Sequence, residues 1–190
     1  MAFESDWIFL KTAVPEFQEY ILSSEIYWTL RPLQRAPGGV QVPQLSIGSL
    51  LLSQARLAAL NLSGTQQAEL AEIQNTTGAV RSEWRANWGR KAEQEFHARL
   101  NLWQQYLREL RTDARPSAGF YAREVRNRAI LHLLPADLSG SISKHEHEQL
   151  HMLDDVLRGL GRPGSFVWEA GLASGFGQEA FWFLYLDVKK

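Results

Sequence analysis

Apolar side chains recur through residues 70–110 with the period of an α-helix. Leu70, Ile73, Val80, Trp84, Trp88, Phe96, Leu100, Trp103, Leu107 and Leu110, continued by Thr77 and Ala92, cover 40 residues in 11 steps, or 3.64 residues per step. That equals the natural winding of the helical backbone, so the stripe stays on one side of a nearly straight rod. The pattern predicts a helix from about Thr65 to Arg111. At ~1.5 Å per residue such a rod would be ~70 Å long. A compact chain of this length has a diameter of about 40 Å, so the rod must bend or the molecule must be elongated. The weak point is Thr76-Thr77-Gly78, where a kink is expected.

Shorter patterns surround this helix. Pro15 suits a first helical turn, and Phe17, Ile21, Ser24 and Trp28 trace a helical face after it. Leu30 to Pro43, with three prolines and two glycines, reads as a loop with a short extended piece at Val40 to Val42. Ser46 opens a helix to about Leu60 whose face is Leu50, Leu51, Ala55 and Ala58. Thr112 to Ser117 is a turn, Ala118 to Leu134 a helix stopped by Pro135, and Ser143 to Leu160 a helix closed by Gly161 and Pro163. The remaining residues turn aromatic and glycine-rich, and Ser165 to Trp168 and Phe181 to Val188 are expected to pair as a small β-ribbon. The predicted fold is mostly α: an elongated bundle of about five helices, one of them long and kinked, with a C-terminal β-ribbon. A single domain is expected over residues 1–190, with 164–190 an appendage packed on it.

Composition narrows the function classes. The 190 residues suffice for a sizeable core, and a net charge of −1 argues against a dedicated nucleic-acid binder. The absence of cysteine removes disulfides, thiolate nucleophiles and cysteine-based zinc sites. The longest apolar run, Phe181 to Leu186, is far too short to cross a bilayer, and the N-terminus lacks the core of an export signal. No membrane association and a cytoplasmic location are expected. There is no phosphate-binding loop, nucleophile elbow or H-E-x-x-H motif. Neither a catalytic residue nor a cofactor is assigned.

Three groups could still carry chemistry. His147, His151 and Asp155, with His145 nearby, share one side of a helix at spacings that can hold a divalent metal. The pair is similar to the metal-binding helix of DinB-like four-helix bundles. Against a buried face of Leu150, Leu153, Leu157 and Leu160, however, His147 lies ~110° and His151 ~150° away, and both point outward. Arg123, Arg126, Asn127 and Arg128 lie on a helix apolar on two sides (Tyr121, Val125 and Ala129; Phe120, Ile130, Leu131 and Leu134). They could line a pocket for an anion or carboxylate. Residues 81–128 hold 11 basic and 6 acidic side chains, whereas 1–30 and 137–155 each carry −4. Ion pairs between helices would absorb these charges. Finally, Trp84, Trp88, Phe96 and Trp103 read as core anchors, and Trp168, Phe181, Trp182 and Phe183 either dock on the bundle or present a partner-binding face.

The segments EVRNRAILHLL (124–134), LDDVLRGL (153–160), SFVW (165–168) and FWFLYL (181–186) together resemble a family of small, uncharacterised, mostly helical bacterial proteins. The resemblance implies no activity and carries over no catalytic residue. The expected function is that of a non-enzymatic interaction or scaffold protein, with a protein partner or a second copy as ligand. The alternatives are a metal-dependent bundle enzyme using His147, His151 and Asp155, and a small-anion binder using the arginine helix.

Overall fold

The computed structural model describes residues 2–31, 43–112 and 118–188. The extended piece expected at 40–42 and most of the turn expected at 112–117 lie outside the described residues. Helix α1 spans Ala2–Ala13 and continues through a 3-10 turn, Val14–Glu16, into α2 (Phe17–Leu22). Then follow α3 (Ile47–Ala58), α4 (Gly64–Glu83), α5 (Arg85–Thr112), α6 (Tyr121–Leu133) and α7 (Lys144–Leu160). A 3-10 turn, Leu134–Asp137, extends α6.

Serine hydroxyls open three of these helices. Ser46 accepts from the Ser49 N–H, while Ser63 with Gln66 and Ser143 with Glu146 form reciprocal capping boxes. Helix α4 therefore starts one residue before the threonine that periodicity pointed to.

Helix α5 carries the core. Trp88, Ala92, Phe96, Leu100, Trp103, Leu107 and Leu110 are all buried, with α6 running alongside. Burying each tryptophan contributes on the order of 2–3 kcal/mol before entropy is counted. Helix α3 lies between α1 and α6. A Cβ on its Gly48 would fall 2.2 Å from Ile130 Cγ2, so only glycine allows α3 and α6 to approach this closely. The expected face of α3 is rotated. Leu51 and Ala55 are half-buried and Ala58 is exposed, while Ser53 and Arg56 face inward. Asp6 of α1 compensates both, accepting from Ser53 Oγ at 2.9 Å and from Arg56 Nε at 2.8 Å.

Other expectations are corrected. The long helix breaks at Trp84 (φ −110°, ψ 37°), not at residues 76–78. The hydroxyls of Thr76 and Thr77 bond back to the carbonyls of Glu72 and Ile73, and the helix passes through Gly78 intact. The break falls where the stripe leaves the core: Val80 and Trp84 are only half-buried, so little packing holds the rod straight there. The helix after Pro15 ends at Leu22, because Ser23 turns extended and its hydroxyl takes the Tyr20 carbonyl. Trp28 lies instead in a β-bridge with Leu45, its indole N–H donating to Glu16 at 2.7 Å. Helix α1 was not anticipated, yet it buries Trp7, Phe9, Leu10 and Ala13.

The ribbon is real but displaced. Strand β1 (Gly161–Pro163) pairs antiparallel with β2 (Leu186–Val188) in the register Gly161↔Val188, Arg162↔Asp187 and Pro163↔Leu186. Ser165 to Trp168 only flanks it, through Val167 N–H to the Leu184 carbonyl at 2.9 Å. Trp182–Tyr185 winds into a 3-10 turn. A strand would place alternate residues on opposite faces, whereas the turn buries the consecutive pair Phe183 and Leu184 together.

Candidate functional site

The break at Trp84 opens a cleft. Backbone bonding continues across it, from Trp84 N–H to Val80 and from Trp88 N–H to Trp84, both at 2.9 Å, so α5 resumes at once on a new course. Trp88 and Gly89 then meet the 3-10 turn that extends α6. A Cβ on Gly89 would lie 2.8 Å from the Ser139 backbone nitrogen, so glycine is required for this approach. Between the two walls lies a cleft of about 320 Å³. Gly78, Arg81, Ser82 and Arg85 line the helical side, and Asp137 and Ser139 lie opposite.

Asp137 organises this space. Its side chain is only 5% exposed, and its Oδ1 accepts a hydrogen bond from Trp88 Nε1 at 2.8 Å and forms an ion pair with Arg81 Nε at 3.0 Å. Arg81 Nη2 also donates to the Ala136 carbonyl at 3.1 Å. These three contacts hold the carboxylate, one indole and one guanidinium in fixed relation. The second carboxylate oxygen, Oδ2, accepts no hydrogen bond from a described residue, and neither the Arg85 guanidinium nor the Ser82 hydroxyl is engaged by one. Ser139 Oγ is taken by Glu93 at 3.0 Å. No histidine lines the cleft.

The four residues of the arginine helix do not converge. Arg123 is exposed, pairing with its neighbour Glu124 at 2.9 Å and lying 4.7 Å from the Phe120 ring. Asn127 accepts from Arg99 Nη1 at 2.8 Å. Arg128 is buried in a two-pronged pair with Asp154, both bonds 2.8 Å, and lies 4.5 Å over Phe183. Arg126 is half-buried and makes no hydrogen bond or ion pair with a described residue. Burial and then the neighbouring Arg56 charge push its pKa down. The ion pairs Arg81–Asp137, Arg128–Asp154 and His97–Glu146 join the basic middle of the chain to the acidic segment 137–155. Glu95 is fully buried and takes Ser46 Oγ at 2.6 Å, the Gly48 N–H at 2.7 Å and Arg99 at 3.1 Å.

The histidines remain at the surface. His147 and His151 pack edge to face 4.6 Å apart, His145 is exposed, and Asp155 pairs with Arg158. Among the described residues no group of three or more histidine or acidic side chains could hold a metal ion. The aromatic tail folds back onto the bundle. Phe183 is fully buried, and Trp168, Phe181 and Trp182 are half-buried. Trp168 donates to the Ala122 carbonyl at 2.8 Å, and Arg158 lies 4.2 Å from the Trp182 ring.

Sequence reasoning passed over Asp137, Glu95 and Lys91. Glu95 had a signal, since it lies seven residues after Trp88 and so falls on the buried stripe. Asp137 follows Pro135 in a 3-10 turn, where helical periodicity says nothing. No family model, curated protein or solved structure matches the chain, so the site stands on its own geometry. No helix among the described residues is long and apolar enough to cross a membrane.

Proposed function

We propose that the protein is a non-enzymatic binder of a small polar molecule bearing an anionic group, taken up in the cleft at the α4–α5 break. The observation that carries this reading is a cleft of about 320 Å³ walled by a fixed Arg81–Asp137–Trp88 unit, with the guanidinium of Arg85 left uncommitted at its edge. Clefts of this size take small molecules, and a guanidinium matches carboxylate or phosphate oxygens in pairs. The alternative anion site on α6 has less support, because Arg123, Asn127 and Arg128 already have partners.

The test is a thermal melt of the full chain with butyrate and with inorganic phosphate. A probe at about 100 times its dissociation constant stabilises by about 2.7 kcal/mol. For a domain of this size that is a rise of roughly 5–10 °C in Tm. Arg85 is exposed, so Arg85→Ala should keep the fold and lose the rise. Equal shifts in both proteins, or none in either, would overturn the reading.

A second reading is association with another protein. In support of it, Leu102 and Phe120 are 44% and 50% exposed across a shallow groove of about 170 Å³. Under this reading Phe120→Ser shifts sedimentation toward a smaller species.

A further inference from the structure

Resting on the anion-binding reading of the same cleft, the geometry points to a zwitterionic ligand, one that carries an ammonium group as well as its anionic group, as amino acids do. The argument starts from the two oxygens of Asp137. Oδ1 accepts from Trp88 and is paired with Arg81, while Oδ2 has no donor from any described residue and Asp137 lines the cleft. A carboxylate in a side chain only 5% exposed gains more from a charged donor than one at the open surface. Arg81 sets its Nε against Oδ1 and gives one terminal nitrogen to the Ala136 carbonyl, and no hydrogen bond from it reaches Oδ2.

Across the cleft the unmet groups have the opposite sense. Arg85 and the Ser82 hydroxyl offer donors to an anion. The two walls therefore ask for complementary ends of one molecule: a cation toward Oδ2 and an anion toward Arg85. A simple anion would leave Oδ2 without a charged donor and facing negative charge, and a simple amine would leave Arg85 unanswered. The separation between ammonium and anion selects among such ligands. A series with a lengthening methylene spacer reads it directly.

The experiment titrates the full-length wild-type chain calorimetrically with glycine, β-alanine, γ-aminobutyrate and 5-aminovalerate, against butyrate and butylamine as single-charge controls. At least one amino acid should bind tenfold or more tighter than both controls and should shift the Trp88 indole N–H resonance, since that proton rests on Oδ1. Asp137→Asn keeps an acceptor for Trp88 and replaces only the second oxygen. It should abolish the advantage of the amino acid over butyrate. If butyrate matches the best amino acid in wild type, the zwitterion inference fails and the anion reading stands. If butylamine matches it, or if nothing binds, both fail. The wild-type comparison decides the matter even if the Asp137 variant does not fold.

Discussion

Asp154 and Arg128 hold each other by two bonds of 2.8 Å beneath Phe183, where neither can be rehydrated once its partner is gone. Asp154→Ala is therefore expected to cost about 3–5 kcal/mol in urea unfolding. Arg128→Met combined with Asp154→Leu should recover more than half of that loss, because no orphan charge remains. Recovery of nothing would mean that the pair acts through shape. At this scale the sequence was informative about charge balance and silent about partners. The excess of arginine in 81–128 and the acids of 137–155 foretold pairing between these stretches. Which carboxylate met which arginine depended on contacts such as Arg81 with Asp137, 56 positions apart, that no local spacing encodes. Arg56 is plainer still: it reads as an ordinary surface residue on α3 until Asp6, from a helix the pattern did not reveal, lies against it.

Helices differ in how much of their stability comes from packing. Helix α4 buries only Leu70, Ile73 and Thr77 over its 20 residues, whereas α5 buries eleven of 28. Short helices without an anchored face open readily, so amide exchange should be faster through Gln66–Val80 than through Phe96–Leu107 when followed by mass spectrometry. Uniform protection from 66 to 107 would instead show that the two halves open as one unit across the Trp84 break. Element existence was legible wherever apolar periodicity ran long. Helices α5 and α7 lie where the pattern placed them, and the latter begins one residue after the expected Ser143, which caps it. The kink was legible as a necessity and misplaced in position, because Gly78 is a local weakness while the break follows loss of packing around Trp84. Helix α1 escaped notice because its apolar and polar positions mix, with Asp6 buried among aromatics.

For the whole molecule, pH exposes the cost of burying charge. Burial first, then the Arg90 charge, with Glu25 opposing, pulls the Lys91 ammonium from 10.5 down to about 8. Its nitrogen reaches the Glu25 carbonyl and lies 4.4 Å from the Tyr20 ring. Above pH 8 the unfolded chain keeps a proton that the folded one has released, so stability rises with pH across that interval. The rise ends near pH 10, where tyrosines ionise in the unfolded chain while burial holds Tyr20, Tyr106 and Tyr121 protonated in the fold. Lys91→Met should flatten the increase, read as the urea midpoint at intervals between pH 8 and pH 10. An unchanged slope would assign it to another group. The candidate cleft was the least legible feature of all. It needs a break in one helix, a glycine at a crossing and an acid in a turn, each unremarkable alone.

The β1–β2 pairing has a consequence for synthesis. Tyr121 donates its hydroxyl to the Phe183 carbonyl, and the Leu186–Val188 strand seals the segment that leaves α7. A chain emerging from the ribosome at about 5–20 residues per second must therefore carry a bare aromatic seam until residues 183–188 have been made. During those seconds the nascent protein exposes surface prone to aggregation, and a product cut short before Phe183 would never cover it.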